Sequence, residues 1–166
     1  MGDGTTTKPT SLPPCRRYIC SHTPDGKSVF LPSPEQIYRG RDGVGGVARS
    51  YSVETVPAKL ADDQDVKAYL SPHGDVSHLG QNIVVPNLKG SNCLVIDLGP
   101  GGESQMHQTV SIDFSICVIG TIDMELDGGE RVRYYAQVDQ CLQDRASKIH
   151  RSDFAMRALQ NWRGDA

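Results

Sequence analysis

The central part of the chain alternates apolar and polar residues with a period of two, which is typical of strands. In the run SIDFSICVIG the even positions are apolar, and the apolar set continues at Ile122, Met124 and Leu126 beyond Gly120. The odd positions from residue 107 to residue 117 are small or ionisable. Because strand side chains point alternately to opposite sides, one side is predicted to be apolar. The polar side is either a solvent-exposed face or the lining of a site.

Other segments predict further short strands that are joined by tight turns. Residues 92–98 (NCLVIDL) form a strand that ends in the turn GPGG, and residues 127–129 supply a hairpin turn. Residues 60–80 are acidic and irregular, which predicts a long surface loop with a helical turn. Residues 152–164 carry apolar residues at helical spacing between Ser152 and Gly164, and they predict a short C-terminal helix.

Composition agrees with a single, mostly β domain. The 166 residues include 17 glycines and 10 prolines, which favour turns over long helices. We predict an all-β fold with a flexible arm at residues 1–12, a β domain at 13–150 and a helical tail at 151–166.

Charge and cysteine content narrow the possible partners and the location. The net charge is -3 and no basic stripe is present, so we predict no nucleic-acid partner. No secretory leader and no long apolar run are found, which predicts no membrane span. The five cysteines are scattered and odd in number, as in reduced, cytoplasmic proteins.

Five residues have the spacing of a known signature. Gly101 is followed after five residues by His107, then by Thr109, Asp113 and Gly120. This spacing resembles the first signature of the cupin superfamily, in which His-x-His and a glutamate stand between two glycines. Thr109 replaces the second histidine and Asp113 replaces the glutamate. Over residues 92–135 the text resembles a subgroup of small single-domain cupins from bacteria and fungi, and the likeness extends less closely over residues 12–87.

The resemblance implies a jelly-roll β-barrel whose signature side chains point inward. Ile112, Phe114 and Ile116 would then point outward. Bulky apolar groups do not remain in water, so other strands, the C-terminal helix or a second subunit must cover them. We therefore predict a homodimer.

The end of the chain departs from the second cupin signature. Asp139, Gln143, Arg145, Ser147 and His150 fit that pattern only with insertions, and its Trp-Arg-Asn continuation is absent. The last barrel strands are expected to be replaced by the helix, and His150 stays open as a site residue.

The resemblance and the residue chemistry together suggest a site. We predict His107, Asp113 and Thr109 as catalytic residues and Ser111, Ser115, Tyr51 and His150 as substrate-binding residues. A histidine in a half-apolar cavity titrates near neutrality and can be oriented by a carboxylate. The alternative for His107 is a structural role, in which it satisfies the hydrogen bonds of the preceding turn. The alternative for Tyr51 is packing on the surface or in the core.

These residues predict an enzyme without a cofactor, acting on a small molecule by histidine-based acid/base catalysis. The reaction would be a dehydration, decarboxylation or cyclisation. Fungal members of the subgroup accompany polyketide and other secondary-metabolite pathways, which implies such a lyase or isomerase role. One alternative is a dioxygenase with iron, zinc, manganese or nickel held by His107, Asp113 and His150. Another is a non-catalytic binder of small molecules.

Overall fold

The described residues form three antiparallel sheets and one short α-helix. The computed structural model describes residues 4–80, 89–108, 111–136, 140–143, 147–150 and 156–164, and in the last three ranges it describes the backbone alone. The strands are β1 (Thr5–Thr6), β2 (Ile19–His22), β3 (Ser28–Leu31), β4 (Tyr38–Arg41), β5 (Gly45–Val53), β6 (Ser91–Leu98), β7 (Ser111–Ile119), β8 (Thr121–Leu126), β9 (Arg131–Tyr135), β10 (Gln140–Gln143), β11 (Ser147–His150) and β12 (Met156–Gly164). A 3-10 turn (Ala61–Asp63) leads into α1 (Gln64–Leu70). The predicted all-β jelly-roll fold is confirmed.

The largest of these sheets has seven strands. Its strand order is β1-β4-β5-β6-β12-β7-β10, and β11-β8-β9 and β2-β3 form two smaller sheets. One face of the large sheet packs against β8 through a buried apolar cluster. The cluster contains Val47, Leu94, Ile96, Leu98, Cys117, Ile122 and Met124. We call the face that carries this cluster the interior face.

Gly120 divides the long alternating segment into two strands in different sheets. It adopts φ +80°, a conformation that side chains disfavour, and it connects β7 to β8. Ile112 and Phe114 before it are exposed, whereas Ile122 and Met124 after it are buried. The prediction of one continuous apolar side is therefore wrong. The chain turns at Gly120 into the second sheet, and its even positions then face the core.

The predicted C-terminal helix is also wrong. Residues 156–164 form β12, which is inserted between β6 and β7 and pairs with both in antiparallel register. Pairing on both edges supplies more backbone hydrogen bonds and burial than the local helical spacing could offer, so tertiary context overrides propensity. The short helix of this fold is α1 instead. A barrel strand that we expected the helix to replace is present as β12.

The limits of the arm, the β domain and the tail remain predictions. Within the first twelve residues, Thr5–Thr6 pairs with Tyr38 and Arg39 of β4. At seven residues, α1 is too short to cross a bilayer, and no longer apolar helix occurs among the described residues.

The predicted surface loop at residues 60–80 contains more buried structure than its acidic composition suggests. Tyr69 of α1 is fully buried and packs in a cluster with Ile19 and Val66. Half-buried Leu31, Tyr51 and Leu70 surround this cluster. The helix thus covers the large sheet near β5.

Candidate functional site

A row of buried polar side chains crosses the interior face of the large sheet. Ser52 of β5 lies directly opposite Asn92 of β6, and Trp162 of β12 is the register partner of both Asn92 and Asp113. Residues directly opposite on neighbouring strands share a face. Ser52, Asn92 and Asp113 are only 3%, 0% and 0% exposed. Together with Ser111 and Ser115, which alternate with exposed residues on β7, they form what we call the interior polar cluster.

The interior face has two parts: the interior polar cluster and an apolar part. Further along the same strands, the interior face carries Leu94 and Ile96 on β6 and Cys117 on β7, all in the apolar core. Buried polar groups cost free energy unless they are hydrogen-bonded. Five such groups lie on one side of the core, and we take them as the candidate site.

Asp113 is held by a neighbour on its own strand. Ser111 Oγ donates a hydrogen bond to Asp113 Oδ1 at 2.9 Å, and both side chains are buried. The two residues lie on the same face because strand side chains repeat with a period of two. A buried carboxylate with a fixed orientation is suited to accept a proton from a bound molecule.

His107 lies outside this cluster. Its side chain is exposed, and its Nδ1 is 3.0 Å from the carbonyl oxygen of Gln105. If Nδ1 donates to that carbonyl, the neutral ring presents Nε2 as an acceptor. His107 and Asp113 therefore do not share the cavity that we expected.

Two other predicted residues cannot be placed relative to the cluster. Thr109 lies outside the described residues. His150 belongs to β11 and is the register partner of Asp123, but its side chain is outside the described part. The proposed catalytic role of Thr109 and the proposed binding role of His150 remain predictions.

Tyr51 is on the opposite face from the interior polar cluster. A bulge between Arg49 and Tyr51 shifts the register, so that Tyr51 pairs with Cys93. Its hydroxyl donates to Asp65 Oδ2 at 2.6 Å, and its ring centroid is 4.8 Å from that of Tyr69. Burial, followed by the hydrogen bond to Asp65, raises the pKa of Tyr51. The structure places Tyr51 against α1 and does not bring it together with Asp113.

Two arginines hold the loop after α1 against the interior-facing side of β4 and β5. Arg49 Nη1 donates to the carbonyl oxygens of Asp75 at 2.7 Å and Ser77 at 2.8 Å. Arg39 Nη2 donates to the carbonyl oxygen of Gly80 at 3.0 Å. Burial lowers the pKa of Arg49. The two side chains fix this loop to β4 and β5.

Sequence reasoning missed Ser52, Asn92 and Arg49. The alternation in NCLVIDL already places Asn92 on the side of Leu94 and Ile96, and this signal could have identified it. Ser52 is different, because its face depends on the bulge after Arg49. No feature of the sequence marks that bulge.

The described donors do not fit a metal site. His107 is exposed and its Nδ1 contacts a backbone carbonyl, whereas Asp113 is buried and accepts from Ser111. Within the part of the chain whose side chains are described, no group of three histidine, cysteine or acidic residues is close enough to hold an ion. The three-ligand set also needs His150, so it remains a prediction.

Curated relatives of this chain come from fungi. Phomopsin biosynthesis cluster protein D of Diaporthe leptostromiformis is 37% identical over 123 residues, which are 69% of this chain and 58% of the relative. Oryzines biosynthesis cluster protein J of Aspergillus oryzae is 30% identical over 72% of this chain and 65% of its own length. A cupin-domain-containing oxidoreductase of Hypocrea virens is 30% identical over 69% of this chain and 55% of its own length. The chain thus spans little more than half the length of the first of these relatives.

Family models and solved structures add less information about this chain than the curated relatives do. No family model matches the chain. Among solved structures, a DMSP lyase from Ruegeria pomeroyi matches 45% of this chain and 39% of its own chain, with 19% identity and a TM-score of 0.42. The signature spacing from Gly101 to Gly120, the all-β sheets and the cupin-domain relative agree with one another. This chain belongs to the cupin superfamily.

Proposed function

We propose that this protein is a biosynthetic enzyme that transforms a small organic molecule at the interior polar cluster. The observation that carries the proposal is the fully buried Asp113, which Ser111 orients within the interior polar cluster. Two curated relatives are named as proteins of biosynthesis clusters and a third as an oxidoreductase. These names support a biosynthetic enzyme and leave the reaction to be argued from the residues.

Proton transfer to and from Asp113 is the chemistry that we propose. In a dehydration, the carboxylate accepts a proton from the carbon next to a substrate carbonyl. The electron pair of that C–H bond forms a C=C bond to the neighbouring carbon, whose C–OH bond breaks. The Asp113 carboxylic acid gives the proton to the departing hydroxyl, which leaves as water. In a cyclisation the same proton returns to the product. Each of these reactions needs a positioned base and exclusion of water, and burial of Asp113 meets both needs.

The remaining cluster residues would bind the substrate. Asn92 and Ser52 lie in the same row as Asp113 and can hydrogen-bond a carbonyl or hydroxyl group, as we predicted for Ser111 and Ser115. His107 and Thr109 precede β7 directly in the sequence. In this proposal His107 acts as the second proton-transfer group from the exposed side, and the catalytic role of Thr109 stays a prediction.

A metal-dependent dioxygenase is the second candidate. The relative named as an oxidoreductase favours it. It would use His107, Asp113 and His150 as ligands. A non-catalytic binder would use the same interior polar cluster without turnover.

The test uses a strain in which the gene for this chain is deleted. A compound that accumulates there, and disappears when the wild-type gene is restored, is the candidate substrate. The variant Asp113→Asn should fail to clear it. The matched control is Asp97→Asn, because Asp97 is equally buried on the large sheet but occupies an odd position of β6, on the opposite face from Asn92.

The outcomes separate the candidates. Clearance by Asp97→Asn but not by Asp113→Asn, with both variants folded, supports the proposal, and clearance by both variants would overturn it. Oxygen consumption by purified protein with the accumulated compound would favour the dioxygenase. Binding of that compound without any product would favour the binder.

A further inference from the structure

Two cysteines lie together on the face of the large sheet that is opposite to the interior polar cluster. Tyr38, Ala48 and Val95 are successive register partners across β4, β5 and β6, and they form a buried row on that face. Cys15 packs against this row. Cys93 is two residues before Val95 in β6 and therefore projects from the same face in the next row.

The two thiols also interact electrostatically. Burial raises the pKa of Cys93, and the neighbouring Cys15 raises it further. Both cysteines are free and half-buried. Since Cys15 lines a surface groove of about 510 Å³, together with Arg16, Arg17 and Tyr38, a small oxidant can reach it from solvent.

We propose that Cys15 and Cys93 form an oxidative modification site, in which a peroxide converts the two thiols into an intramolecular disulfide. The Cys15 sulfur attacks hydrogen peroxide, the O–O bond breaks, and a sulfenic acid and water form. The Cys93 sulfur then attacks the Cys15 sulfur, the S–S bond forms, and the sulfenic oxygen leaves as a second water. Two thiols are oxidised and one peroxide is reduced.

The order of the steps follows from the surroundings of the two thiols. Cys15 opens onto the groove and is the sulfur that meets the oxidant. Cys93 is the resolving thiol, because it is not among the residues that line the groove and its burial disfavours the thiolate that would react with the oxidant.

The disulfide would tether the segment before β2 to the centre of the large sheet. Arg17, two residues after Cys15, already donates to Ser33 Oγ at 3.0 Å and to the carbonyl oxygen of Ser50 at 2.8 Å. Cys93 is adjacent to Asn92 of the interior polar cluster. A bond between residues so distant in sequence restricts the unfolded chain strongly, so it should raise the melting temperature.

The experiment treats the reduced chain of 166 residues with hydrogen peroxide and then alkylates the remaining thiols. Digestion with trypsin and a glutamate-specific protease places each of the five cysteines on a separate peptide, given the Lys, Arg and Glu positions. We expect a cross-link between the Cys15 and Cys93 peptides, loss of two of the five thiols, and recovery of both with dithiothreitol. The melting temperature should rise on oxidation and fall back on reduction.

Single variants provide the controls. Cys15→Ser and Cys93→Ser should each lose the cross-link and the rise in melting temperature. Cys20→Ser should keep both, because Cys20 is exposed on β2, which belongs to the separate β2-β3 sheet. A cross-link through another cysteine, a bond between two chains, or thiols that remain free under peroxide would overturn the proposal. None of these readouts depends on enzymatic activity, so the result stands apart from the proposed function.

Discussion

At the scale of single residues, the proposed chemistry and the stability of the fold depend on different side chains. Asp113 is buried on the interior face, whereas His107 is exposed and makes one described hydrogen bond, to a backbone carbonyl. Tyr69, on the other face, is fully buried and makes several contacts. Substitutions at His107 and at Tyr69 should therefore affect different measurements.

Changing His107→Ala should reduce turnover of the accumulated compound by at least about 100-fold, as expected for loss of an acid/base group. Because the side chain is exposed, the melting temperature should stay almost unchanged. The measurement is product formation by the purified variant, beside a thermal melt. His73→Ala is the control, since His73 is exposed in the loop after α1. Full activity of His107→Ala would exclude a catalytic role for this histidine.

Changing Tyr69→Phe should lower the free energy of unfolding by about 1–3 kcal/mol. The Tyr69 hydroxyl donates to the carbonyl oxygen of Arg49 at 2.9 Å and accepts a hydrogen bond from Arg17. Urea unfolding near neutral pH measures the loss. Tyr18→Phe is the control, because Tyr18 is 68% exposed. An equal effect of both substitutions would show that the buried Tyr69 hydroxyl does not stabilise the fold.

The same variant should change the dependence of stability on alkaline pH. Burial raises the pKa of Tyr69 to about 12, so the fold favours the neutral phenol. This contribution is fully present below the ordinary tyrosine pKa of about 10 and is lost as pH rises toward about 12. Unfolding free energies measured across that window should fall less steeply in Tyr69→Phe than in the wild type. Identical slopes of unfolding free energy against pH in the two proteins would contradict the raised pKa of Tyr69.

At the scale of elements, the loop after α1 depends on two arginines from β4 and β5. Changing Arg49→Met keeps most of the side-chain volume but leaves the carbonyls of Asp75 and Ser77 without this donor. Amide hydrogen exchange in residues 75–80 should accelerate, and the free energy of unfolding should fall by about 2–4 kcal/mol. Arg41→Met, at an exposed position of β4, is the control. Unchanged exchange in the loop would show that other contacts hold it.

Local alternation was sufficient to predict the strand that carries the candidate site. Ser111, Asp113 and Ser115 are buried while Ile112 and Phe114 are exposed. The alternation left this orientation open and the family resemblance implied it, although His107 of the same signature is exposed. The row that joins Ser52, Asn92 and Asp113 could not be predicted, because it depends on cross-strand register and on a bulge in β5. β12 was missed because its pairing partners are distant in sequence, and the local pattern indicated a helix.

At the scale of the whole molecule, the outer face of β7 has unusually exposed apolar residues. Phe114 is 52% exposed and Ile112 is 41% exposed. The sequence left three possible covers for these side chains: the N-terminal strands, a C-terminal helix or a second subunit. Among the described residues, neither N-terminal strands nor a C-terminal helix covers them. A second copy of the chain is the remaining one, and homodimerisation stays a prediction.

Sizing at micromolar concentration should give a particle of twice the monomer mass. Phe114→Glu should shift it to the monomer, because a charge placed in an apolar interface is costly to bury. Phe30→Glu is the matched control, since Phe30 is 73% exposed but lies on β3, beside Tyr18 in a separate sheet. If Phe30→Glu also dissociates the particle, the interface involves the β2–β3 hairpin. A wild-type monomer would leave the apolar face of β7 without a partner subunit and would contradict the prediction.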